Sequence, residues 1–172
     1  MPTTVDTLFT PLITAAQACL CAALDLHPAA PAMCCVRYGG EVTINDCCPG
    51  LAWVRFESAD PTDKNSFPSG SADINKCAHP VGQWAVQLEL GIARCAPNAT
   101  ATHLPTCDEW ATVKHAVMAD MQAMRRAICC IQDAQKYRDL VIGQFITTGP
   151  AGGCLKTTVD VTVRLVGCDE CI

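Results

Sequence analysis

Cys34–Phe56 reads CCVRYGGEVTINDCCPGLAWVRF: two runs of strand-forming residues separated by a turn-rich segment, with a cysteine doublet at each end of the connection. Residues 33–38 and 51–57 have strand composition, and GGEVTINDCCPG joins them. In a strand Cys34 and Cys35 point to opposite faces, so only one can enter a core. Cys47 and Cys48 sit beside Pro49 and Gly50 in a turn, from which either could reach the neighbouring strand. A cross-link between the doublets is therefore open, and sequence does not fix the connectivity.

Downstream, Ser58–Gly82 is rich in Ser, Asp, Asn, Pro and Gly and has no period, so it reads as a long functional loop. In WAVQLELGIARC, Trp84–Cys95, Trp84, Val86, Leu88, Leu90 and Ile92 alternate with Gln87 and Glu89, the period of a strand. Thr106 and Glu109 form a capping box before a helix whose stripe is Trp110, Val113, Val117, Met121, Met124, Ile128 and Ile131. Val159, Val161, Val163 and Leu165 against Asp160, Thr162 and Arg164 give a last strand with one wet face. Upstream, Leu8 to Leu24 recurs at helical spacing, with Pro11 tolerable in a first turn.

The order predicts one α+β domain over residues 1–172, with a small, mostly antiparallel sheet packed by two long helices. Its parts are an N-terminal helix 4–26, sheet and long loop 32–95, helix 106–138 and C-terminal strands 140–166.

The chain is half apolar with 17% charged residues and a net charge of −5, which argues for a folded chain and against a nucleic-acid binder. The uncharged run Thr7–Leu24 mimics a signal peptide or a span. A signal peptide needs a positive start, whereas the first basic residue is Arg37, and a span would carry Pro11 and Gln17 without flanking cations. No membrane partner is expected.

Fourteen cysteines without an export signal suit a protein made in a reducing cytoplasm that later works outside it. RCAPNATATHLPTC places Cys95 at a strand end and Cys107 in a helix's first turn, where a disulfide could staple the loop; otherwise both are buried thiols. On the helices, Cys19 flanks the apolar face and Cys21 lies on its far side, while Cys129 and Cys130 lie about 100° and 200° round from Ile128. CDEC, Cys168–Cys171, lacks the second pair that a structural zinc site wants. No G-x-S-x-G, P-loop or H-E-x-x-H occurs, and no catalytic, cofactor or metal residue is assigned.

CCVRYGG, CCPGLAWVRF, WAVQLELGIARCAPN, the long helix, GPAGGC and VDVTVRL together resemble the tail terminator proteins of long-tailed actinobacteriophages. The resemblance implies a non-enzymatic virion subunit, assembled in the host cytoplasm, that forms a hexameric ring at the tail–head junction. Such a ring caps the tail tube protein, docks the head-completion or stopper protein, and lets DNA pass through its lumen without specific binding. Inter-subunit contacts are then expected at Asp60, Lys64, Phe67, Thr148 and Pro150. Two other readings stay open: another connector component, a stopper or adaptor, and a monomeric binding module stabilised by disulfides or zinc.

Overall fold

The computed structural model describes residues 6–40, 42, 47–69, 83–100, 102–135 and 139–166. In chain order the elements are α1 (Phe9–Leu24), β1 (Met33–Tyr38), β2 (Leu51–Pro61), β3 (Gln83–Cys95), α2 (Cys107–Gln135), β4 (Leu140–Ala151) and β5 (Cys154–Val166). The strands form one sheet in the order β1-β2-β3-β5-β4.

This corrects the expected fold class. The sheet is mixed, because β1 and β2 run parallel, with Met33 opposite Leu51 and Tyr38 opposite Phe56. The helices are also unequal, 16 and 29 residues, beside five strands that outweigh them. The physical reason lies in the connection 39–50. A parallel pair needs a return of about a dozen residues, a length that this segment supplies. Its end docks on the chain just before β1: Ala32 N–H donates to Pro49 O at 2.8 Å, and a Cβ on Gly50, whose φ is +79°, would stand 2.8 Å from Pro31 Cα. Both strands therefore start side by side.

β2 also runs past Glu57. A register shift between Phe56 and Ser58 lets Ser58–Pro61 pair with Trp84–Gln87, so the first residues assigned to a loop are strand. Pro61 fits there because β1 has already ended and no partner on that side asks for its missing N–H.

One face of the sheet carries the core. Ala52 and Val54, Val86 to Ile92 at alternate positions, and Val159, Val161, Val163 and Leu165 pack under Leu12, Ala16 and Leu20 of α1 and Met124, Ala127, Ile128 and Ile131 of α2. The alternation of β3 and β5 puts these residues on one side. Burial on α2 begins only at Val117; Trp110 is exposed, and the helix leans chiefly on α1 and touches the sheet at β3 and β5. Its first turns overhang and are held by the capping box: Glu109 accepts from Thr106 N–H at 2.7 Å, and Glu109 N–H donates to Thr106 Oγ1 at 3.3 Å. α1 starts on Asp6, whose carboxylate accepts from the N–H groups of Leu8, Phe9 and Thr10, which holds it down at about 2.

Candidate functional site

Among the described residues no helix lies over the opposite face of the sheet, and its side chains cover one another. Trp53 lies fully buried across Gly91, where an added Cβ would stand 2.2 Å from the indole. Only glycine leaves that room. The indole Nε1–H donates to Glu89 Oε1 at 2.8 Å, and Lys156 Nζ stands 5.6 Å from the ring centroid. Cys47, Leu51, Ala93 and Cys154 complete this second apolar cluster, with Cys35 and Val42 at its rim.

Beyond the tryptophan, the register aligns Arg55, Glu89 and Asp160 across β2, β3 and β5. Arg55 donates to both oxygens of Glu89 at 3.1 Å, to Gly40 O at 2.9 Å and to Glu57. Lys156 adds an ion pair with Glu89 at 3.6 Å. Burial pushes the carboxyls of Glu57 and Asp160 up; Arg55 opposes this at Glu57, and the charge of Glu89 reinforces it at Asp160. Glu57, Glu89 and Asp160 bring donor oxygens within 4.8 Å of one another, the spacing of a cation's ligands. Arg55 and Lys156 already set two positive charges against the three carboxyls, so the arrangement is a largely compensated ionic patch.

A second polar cluster sits at the other side of the sheet, where β3 ends. Asp120 of α2, with 1% of its surface accessible, takes a two-pronged bond from Arg94 of β3, each prong 2.5 Å. His27 joins it through Nε2 at 3.1 Å. Ala29 N–H donates to His27 Nδ1 at 2.9 Å, so Nδ1 is the acceptor and Nε2–H points at Asp120. Both ring nitrogens are thus held within the cluster. The cluster clamps α2 to β3 and to the turn after α1. Beside it opens a cleft of about 330 Å³ lined by Ala29, Pro49, Arg94, Val113, Cys48 and Cys95.

The cysteines do more than pack. Cys19–Cys130 ties α1 to α2, Cys21–Cys34 ties α1 to β1, and Cys47–Cys154 and Cys48–Cys95 tie the turn before β2 to the ends of β5 and β3. The expected pairing of Cys95 with Cys107 is therefore wrong: Cys95 belongs to Cys48, at a Cα separation of 4.4 Å, and Cys107 is an exposed free thiol. The docked turn at Pro49 brings Cys48 to the strand end, while α2 begins in its overhanging, exposed turn. Nor do the two doublets bond to each other. Each strand doublet divides as its geometry requires, Cys34 toward α1 and Cys35 to the outer face. Cys168–Cys171 lies outside the described residues.

The expected contact residues fall into two separate groups. Asp60 is the penultimate residue of β2, with Lys64 and Phe67 in the turn that follows, where Thr62 Oγ1 meets Ser66 and Ser69. Thr148 and Pro150 are exposed at the far end of β4, beside the start of β5. Two strands and the length of the sheet separate the groups. Between them the sequence reading missed the most exposed apolar surface of the sheet. Among the described residues β4 pairs only with β5, and Val141, Ile142 and Ile146 are 41%, 51% and 48% exposed. The signal was present in VIGQFI, an apolar run that β5 pairs along one edge only. A scan against protein-family models and a search of curated proteins return no match for this chain.

Proposed function

We infer that this chain is a structural, non-enzymatic subunit that works by assembling with copies of itself, and specifically a tail terminator ring at the head–tail junction of a long-tailed phage. The observation that carries assembly is β4, a 12-residue edge strand whose outer side pairs with no strand among the described residues and whose apolar side chains stand half open. Such edges invite strand pairing, and soluble monomers usually blunt them with charge or cover. Leu140–Ala151 contains no charged residue. The opposite edge, β1, is only 6 residues long and ends in an exposed Tyr38, so the two edges are unlike. Unlike edges suit the heterologous contacts that close a ring. The phage assignment itself rests on the sequence resemblance, with tail tube and stopper proteins as the partners it implies.

A stapled monomer is the competing reading, favoured by the four disulfides among the described residues. A head–tail stopper or adaptor is the nearer rival. Native mass spectrometry of the full chain, alone and with purified tail tubes, separates them. A closed ring, formed alone or on tubes, supports the terminator reading. A monomer that never associates with tubes removes it and leaves the stapled module.

A further inference from the structure

Sequence directs a search for thiolate metal ligands to Cys168–Cys171, yet the fold gathers four cysteines elsewhere. Cys95 at the end of β3 and Cys154 at the start of β5 are direct partners in register. Ala96 N–H donates to Gly153 O at 2.8 Å beside them, which makes theirs the non-hydrogen-bonded position, where opposing side chains stand closest. The 47–50 turn lies against this pair, closed by Gly50 N–H to Cys47 O at 2.9 Å. Cys47 and Cys48 are consecutive, with Cα atoms about 3.8 Å apart. Their Cα atoms lie 5.8 Å from Cys154 and 4.4 Å from Cys95, respectively. Each cysteine therefore has two others as close neighbours.

We propose that Cys47, Cys48, Cys95 and Cys154 form a redox-gated site for a thiophilic divalent metal ion of the zinc class, filled when the four are reduced and closed when they pair as disulfides. A dithiol reductant supplies four electrons and four protons, breaking two S–S bonds to give four thiols. The ion then displaces four protons and binds four thiolates. Oxidation by a disulfide or peroxide reverses this: two S–S bonds form, four electrons pass to the oxidant, and the ion leaves. Tetrahedral thiolates about 2.3 Å from zinc are about 3.8 Å from one another, a spacing that these Cα separations accommodate by side-chain rotation. The site's two surplus negative charges fall near Arg94, which lines the same cleft, and Lys156, on the face that carries Cys154. The cleft reaches Cys47, Cys48 and Cys95 from solvent and gives the ion its entry path.

In either redox state the turn before β2 stays fastened to β3 and β5. A monomeric module would carry the same site, so its existence is independent of ring formation. The test uses the full chain, made and purified under reductant without air, titrated with Co²⁺ alone. One equivalent should bind with the absorption of a tetrahedral tetrathiolate site and be displaced by Zn²⁺, and the oxidised chain should bind none. Cys95→Ser and Cys154→Ser should each lose the tetrathiolate spectrum, whereas the double variant Cys168→Ser/Cys171→Ser should keep it. Alkylation of the wild-type chain mapped by peptide gives a readout that needs no variant. Zn²⁺ should protect Cys47, Cys48, Cys95 and Cys154 together and leave Cys107 and Cys129 as reactive as before. Absence of Co²⁺ binding by the reduced chain, protection of a different set, or loss of the spectrum in the Cys168/Cys171 variant would overturn the site.

Discussion

β3 and β4 flank the same strand, β5, at nearly equal length, 13 and 12 residues, yet they live in opposite environments. β3 is covered by helices on one face and by Trp53 and the ionic patch on the other; in β4 only Leu140 and Phe145 are even partly covered. Both carry large apolar residues, so the difference comes from what the rest of the chain lays over them. A strand's own pattern says which way side chains point, and its neighbours decide whether anything waits there.

The sharpest way to break the contrast is to shorten one side chain in each strand. Leu88→Ala, in the fully buried row, should cost about 2–5 kcal/mol in chemical denaturation, whereas Ile142→Ala on β4 should stay within about 0.5 kcal/mol. Equal losses would mean that β4 is covered in the free chain. Next in size, Gly91→Ala puts a Cβ into the Trp53 ring and should cost about 1–3 kcal/mol by overpacking, with a shift in tryptophan fluorescence as the indole moves. An unchanged spectrum and midpoint would place Trp53 elsewhere.

Asp6→Ala probes a helix start remote from either strand and should cost about 1 kcal/mol at neutral pH, as cap losses do. Hydrogen bonds, first from Leu8 N–H, hold Asp6 at about 2 against its ordinary 3.8. Its contribution is therefore complete above its ordinary value and fades as pH falls toward 2. The variant should lose less stability than wild type across that window, and parallel acid limbs would contradict the bonding. The smallest effect on folding belongs to the pair Ile142→Ser and Ile146→Ser, expected within about 0.5 kcal/mol in the monomer. Their large effect should be on self-association, read by sedimentation at rising concentration; association as strong as wild type would take β4 out of the interface.

Much of this architecture is legible in residues. The alternation of Trp84–Ile92 and Val159–Leu165 assigns their inner faces, and Thr106 with Glu109 marks where α2 begins. The parallel pairing of β1 and β2 is not legible, because GGEVTINDCCPG is equally long as a wide hairpin or as a return crossover. What decides it is the docking of Pro49 and Gly50 on Pro31 and Ala32, a contact between two turns that carry no periodic signal. The disulfides of Cys47 and Cys48 follow from that docking, so they were hidden by the same ambiguity. Trp53 and Glu89 could not be paired from sequence either, since Gly91 looks like a weakness in a strand until the indole that fills its space is placed.

The two staples on the 47–48 doublet have a consequence for a protease. Any single cut between Pro49 and Arg94, including one in the exposed turn Asp63–Asn65, falls inside the loop closed by Cys48–Cys95 and also inside the one closed by Cys47–Cys154. Cys19–Cys130 spans the same stretch, so both fragments would stay joined by three covalent links, and the nick would show on a denaturing gel only after reduction. An oxidised chain can thus be severed in its longest connection and still keep its pieces in register.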